Sequence, residues 1–134
     1  MVDIDYIMNL IDWEKSPEDQ RAGIELAKQV ECINVFLRPC SKKYNKNVWE
    51  NCAVILADRE DSQLLPYLIE LFSWLQDLNW PGALCVYERL AQFTDSSSFE
   101  HAVGICVKYA RAIEDVNWLN TLKALQSQRS SLTR

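Results

Sequence analysis

The stretch Leu65-Pro66-Tyr67-Leu68-Ile69-Glu70-Leu71-Phe72-Ser73-Trp74-Leu75-Gln76-Asp77-Leu78-Asn79-Trp80-Pro81-Gly82-Ala83 decides the fold. Between Ser62 and Asp77 the apolar residues Leu64, Leu65, Leu68, Ile69, Leu71, Phe72, Trp74 and Leu75 leave only a narrow polar stripe at Gln63, Glu70, Ser73 and Asp77. That spacing predicts a helix over 62–77, with Pro66 in its first turn, where a missing N–H breaks no hydrogen bond. A helix apolar on nearly every side must be covered on several sides, so it is expected at the centre of an all-helical stack. Leu78-Asn79-Trp80 then reads as a short turn. Asn79 suits a left-handed helix C-terminus, Trp80 packs beneath the turn, and Pro81 starts a partner helix with Ala83, Val86, Tyr87 and Leu90 inside. Gly82 permits a close approach of helices. Trp74, Asn79, Trp80 and Pro81 are therefore expected to serve the fold first.

The flanking segments carry the same period. Ser16-Pro17-Glu18-Asp19 has an N-cap, a proline at the first position and two acids at the positive end of the dipole, opening a helix to about Glu31 with Gly23, Leu26, Ala27 and Val30 inward. Ile33 to Leu37 is a short apolar run stopped by Pro39. Asn47 and Glu50 have capping spacing and open a helix whose face is Val48, Trp49, Cys52, Ile55 and Leu56. Ser97 and Glu100 open another, with Phe99, Ala102, Val103, Cys106, Tyr109, Ala110 and Ile113 on one face. Trp118, Leu122 and Leu125 mark the last helix. No segment alternates with period two, so the expected class is all-α, one domain over 1–126 with a frayed tail at 127–134.

Asp77-Leu78-Asn79-Trp80 is echoed as Asp115-Val116-Asn117-Trp118, an offset of 38 residues, and Leu65, Ile69, Leu75 and Leu84 fall on Val103, Val107, Ile113 and Leu122. A period near forty fits a HEAT-like stack of antiparallel helical hairpins. Coincidence between two amphipathic helices is the alternative, and either reading gives stacked antiparallel helices.

With 134 residues, three glycines and four prolines, the chain suffices for one core without staples. A net charge of −5 argues against nucleic acid as the partner. There is no signal-like start and no long apolar run, so a cytoplasmic protein with no membrane contact is expected. Five cysteines without a C-x-x-C pair do not suggest zinc, and Cys52, Cys85 and Cys106 fit apolar helix faces.

Catalytic constellations are sparse. His101 has no nucleophile at helical spacing, and no glycine-rich loop follows a strand. No enzyme activity, cofactor or metal is expected, although Asp58, Glu60 and Asp61 have the chemistry for a divalent ion and would serve a small metal-dependent enzyme. Charge is instead segregated. Residues 1–31 hold eight acids against three bases and residues 48–77 six against one, whereas residues 32–47 hold Arg38, Lys42, Lys43 and Lys46 without an acid. The basic run reads as a solvated connector. The acidic regions, if folded together, make a negative surface suited to a basic protein.

The string Trp74-Leu75-Gln76-Asp77-Leu78-Asn79-Trp80-Pro81 resembles the W-L-Q-D-(M/L)-N-W-P segment of a bacterial family of all-helical domains of unknown function, DUF5071. Looser similarity runs from about Trp13 to Phe93. The resemblance implies a HEAT-like fold and, for some members, a role as immunity proteins encoded beside toxins, including those of contact-dependent growth inhibition. It supplies no catalytic residues. The expected function is thus an immunity protein that occludes the active site of a cognate toxin, a basic nuclease domain, through Asp58, Glu60, Asp61, Glu70 and Asp77. The alternative is a general helical-repeat adaptor.

Overall fold

Local chemistry starts most of the helices. Asp3 accepts the Tyr6 N–H ahead of α1 (Ile4–Leu10), and Ser16 accepts the Asp19 N–H at 3.1 Å ahead of α2 (Pro17–Ala27), as its sequence predicts. In the computed structural model, which describes residues 3–132, a 3-10 turn (Ile33–Phe36) follows, then α3 (Lys46–Ala57), α4 (Asp61–Leu64), α5 (Leu68–Ser73), α6 (Ala83–Ala91), α7 (Ser96–Ala112) and α8 (Val116–Leu132). Every regular element among the described residues is helical, and their buried side chains form one continuous core. None of these helices is long and apolar enough to cross a membrane.

The α5–α6 and α7–α8 segments lie side by side, α5 packing on α7 and α6 on α8, while α3 flanks α6 and α2 flanks α3. Trp118 of α8 is fully buried and donates its indole N–H to the Phe72 carbonyl at 3.0 Å, joining the second pair to the first.

Several local expectations give way to tertiary contacts. Helix α2 stops at Ala27 rather than near Glu31, because the Arg59 guanidinium takes the Ala27 carbonyl at 2.6 Å while Lys28, Gln29 and Val30 tighten into i→i−3 bonds. The Asn47/Glu50 cap does not form. Asn47 holds the Asn45 N–H and Asp12, and Glu50 reaches across to the Gly82 N–H at 2.7 Å. The helix expected over 62–77 is broken by 3-10 turns at Leu65–Tyr67, beside Pro66, and at Trp74–Gln76. Asp95, not Ser97, caps α7, accepting the Ser98 N–H at 3.1 Å.

The turn after Gln76 differs most. Asn79 is not left-handed; Gly82 is, at φ 83°, and α6 starts at Ala83 rather than at Pro81. Asp77 accepts the Asn79 N–H at 2.8 Å, and the fully buried Trp74 donates its indole N–H to the Pro81 carbonyl at 3.0 Å. In the echo, Glu114 takes the left-handed position at φ 57°. The Asp115 N–H returns to the Ala110 carbonyl, and Asp115 then caps α8 through the Trp118 N–H. The two strings therefore end in different turns.

Of the tail expected at 127–134, residues 127–132 continue α8, and 133–134 lie outside the described residues. Arg129 is buried and donates to the carbonyls of Leu90, Ala91 and Phe93, at 2.6 Å for the last, and to the Ser96 hydroxyl. Its guanidinium lies 4.0 Å from the Phe99 ring centroid. A cation over the C-terminal carbonyls of α6 satisfies acceptors that the helix leaves open and complements its dipole.

A Cβ on Gly82 would stand 2.7 Å from the Ala53 Cβ and 2.8 Å from the Trp49 carbonyl oxygen, whereas one on Gly104 would meet nothing within 4 Å. Gly82→Ala should therefore destabilise by about 3 kcal/mol, since it combines overpacking with a strained positive φ. Gly104→Ala, inside α7, should stabilise by roughly 0.5–1 kcal/mol. Urea midpoints measured at constant m-value check both signs.

Candidate protein-binding face

The five carboxylates expected to bind a partner have different tasks. Asp61 is committed internally: one oxygen accepts from Arg89 Nη2 at 2.5 Å, the other from the Thr94 N–H at 2.8 Å and its hydroxyl at 2.6 Å. Arg89 also donates to the carbonyls of Ala57 and Arg59, so this cluster locks the α3–α4 corner to α6. Glu60 sits at the start of α4, where Gln63 Oε1 accepts its backbone N–H at 3.1 Å. Asp77 shapes the turn before α6. Asp58, at the C-terminus of α3, and Glu70, in the middle of α5, are exposed and among the described residues make no hydrogen bond through their side chains.

Burial pushes the Asp61 carboxyl up, but the Thr94 hydroxyl and N–H, together with Arg89, outweigh it and hold the group below its ordinary value. Among the described residues no three His, Cys, Asp or Glu side chains converge as they would around a metal ion. The cysteines at apolar positions are packed rather than poised for reaction. Cys52 and Cys106 are buried, and burial followed by the charge of Glu70 pushes the Cys106 thiol up to about 11.

An apolar groove of about 520 Å³ runs between the α4–α5 segment and α7, lined by Leu65, Pro66, Ile69, His101 and Ile105 among others. Leu65, Ile69 and Ile105 each leave more than two-fifths of their surface in solvent. The ridge continues along α7 to Tyr109 and Ile113, four residues apart and thus on one helical face. Glu70 follows Ile69 and stands close enough to α7 for its charge to act on Cys106. The near-apolar segment is buried along most of its surface, with Leu64, Leu68, Leu71, Phe72, Trp74 and Leu75 in the core, and Leu65 and Ile69 alone among its expected apolar residues face solvent. Tyr109 and Ile113, expected inside, are exposed as well. A reading by periodicity places Leu65, Ile69, Tyr109 and Ile113 in the core. Their one sequence signal is that the apolar stripe is wider than a single buried face needs.

The family model described as "Domain of unknown function (DUF5071)" matches residues 45–131, more than half of the chain and including α3 and the groove. A comparison with curated proteins finds no match, and neither does one with solved structures.

Asp61 also sets a pH dependence. A carboxyl held low in the fold adds stability that is present above its ordinary value of 3.8 and is lost as the pH falls through its folded value. Asp61→Asn should cost about 2 kcal/mol near neutral pH, because Arg89 and Thr94 lose a charged acceptor. The gap between variant and parent should close as the pH drops below the ordinary carboxyl value, as read from urea midpoints across a pH series.

Proposed function

The chain belongs to the DUF5071 family, and from that premise we propose that it is an immunity protein: a helical domain that binds a cognate bacterial toxin in the cytoplasm and occludes its active site without catalysis. The observation that carries this reading is the exposed groove between α5 and α7 with Glu70 beside it. Protein interfaces place apolar residues at the centre and charge at the rim, and contiguous exposed apolar side chains mark such surfaces. Leu65, Ile69, Ile105 and Tyr109 supply the centre. Glu70 and Asp58 are the two expected contacts whose side chains carry no internal hydrogen bond among the described residues, and they suit a basic toxin such as a nuclease domain.

The packing of α5 on α7 and α6 on α8 supports a HEAT-like description of the hairpins, with the groove between α5 and α7. Glu60 and Asp77 join the contact surface as rim charges in this reading. Asp61 contributes by holding the α3–α4 corner in place rather than by touching the toxin. The apolar lining also favours a second reading, a general helical-repeat adaptor that takes an apolar peptide; binding insensitive to salt would mark it.

Co-expression with the toxin encoded by the adjacent gene tests the proposal. The parent chain should restore growth and co-purify with the toxin. Ile69→Asp and Glu70→Lys, both at exposed positions, should lose protection and weaken binding at least roughly tenfold while retaining the helical circular-dichroism signal. Continued killing with the parent chain, and no complex in pull-down, would overturn it.

A further inference from the structure

Sequence composition makes the acid-free segment 32–47 a solvated connector, yet two of its four cations are built into the fold. Arg38 has a left-handed backbone, φ 46°, between the fully buried Phe36 and Pro39, whose carbonyl accepts the Trp49 indole N–H at 2.8 Å. Its guanidinium carbon lies 5.4 Å from the centroid of the Trp80 ring. The Lys46 ammonium lies 6.0 Å from the Trp49 ring centroid, and the two indoles meet edge to face at 5.7 Å. Two cations are thus seated on one pair of tryptophans.

Neither cation is matched by an acid. The chain holds 19 acids against 14 bases, but among the described residues neither the Arg38 nor the Lys46 side chain makes an ion pair or a hydrogen bond. Three other arginines spend their donors internally: Arg59 on Ala27, Arg89 on Asp61, Arg129 on the end of α6. Arg38 is half-buried, and that burial lowers its basicity with no carboxylate opposing the effect. Stacking on an indole offsets part of the desolvation and fixes the planar fork, so little rotamer entropy remains to be lost when its edge donors meet an oxyanion. A left-handed backbone is strained for a non-glycine residue, and such strain persists where the surroundings over-determine it.

We propose that Arg38, seated on Trp80, with Lys46 on the adjoining Trp49 ring, receives a carboxylate from an acidic segment of a protein partner. The guanidinium fork takes the carboxylate in bidentate fashion, Lys46 adds a second charge, and the part-exposed Trp80 indole floors the site for the aliphatic part of the acidic side chain. Two cations match one or two carboxylates. A nucleic acid would bring a long run of phosphates toward a chain of net charge −5. This site is on different elements from the α5–α7 groove and does not depend on the toxin reading.

Fluorescence anisotropy of the intact protein with a labelled oligoglutamate peptide, and separately with a labelled oligothymidylate of equal length, tests the assignment. The peptide should bind, more weakly as salt rises. Arg38→Gly, which suits the left-handed backbone, should keep the thermal midpoint and lower peptide affinity roughly tenfold. Arg38→Lys, which keeps the charge without the fork, should fall between the two, and Lys46→Gln, an exposed change, should weaken binding several-fold. Absence of peptide binding, equal affinity in Arg38→Gly and Lys46→Gln, or tighter binding of the oligothymidylate would overturn it.

Discussion

The contact on which the architecture depends is the approach of the Gly82 backbone to α3. No side chain fits between Gly82 and the Ala53–Trp49 surface, and the left-handed angle there turns the chain into α6. The approach is sealed by polar groups on both sides. Glu50 accepts the Gly82 N–H, and the buried Trp74 indole donates to the neighbouring Pro81 carbonyl. One dipeptide therefore fixes the end of the α5 segment, the start of α6 and the position of α3 together. The rings of Trp49, Trp74 and Trp80 pack edge to face around this point, filling space that a wider turn would leave open.

From that junction the remaining order follows. Helix α6 brings Arg89 against the α3–α4 corner, where Asp61 and Thr94 complete a charged lock. The C-terminus of α6 receives Arg129 from α8, and Trp118 anchors α8 to Phe72. Polar groups with strong, directional bonds thus sit at several of the places where helices from separate parts of the chain meet, while apolar burial supplies most of the driving force. The cost is that much of the chain's acidity is used internally. Asp61 and Asp77, which look like solvated charge in the sequence, are pieces of framework.

Element identity was legible because helical period and caps are local: Ser16, the α3 face from Val48 to Leu56, and Trp118, Leu122 and Leu125 stand where their spacing puts them. What was not legible depends on distant partners. Nothing near Glu50 announces that its carboxylate will leave a plausible cap for Gly82, thirty-two residues on. Nothing near Ala27 shows that Arg59 will end α2. The exposed apolar face was hidden for another reason: Leu65, Ile69, Tyr109 and Ile113 have the pattern of core residues, and only the packing of α5 on α7 reveals that they stay in solvent among the described residues. The tryptophan-seated Arg38 was equally silent, since its meaning depends on Trp80 lying under it.

The molecule thus separates a rigid, internally bonded frame from two unsatisfied surfaces, one apolar and one cationic. The central claim is that the α5–α7 groove is where a toxin docks. Hydrogen–deuterium exchange on the complex with the toxin encoded next door addresses it directly. Slowed exchange confined to residues 65–71 and 98–109, with α2 unchanged, is the predicted result; protection confined to the acidic α1–α2 region, with the groove exchanging as in the free protein, would contradict it.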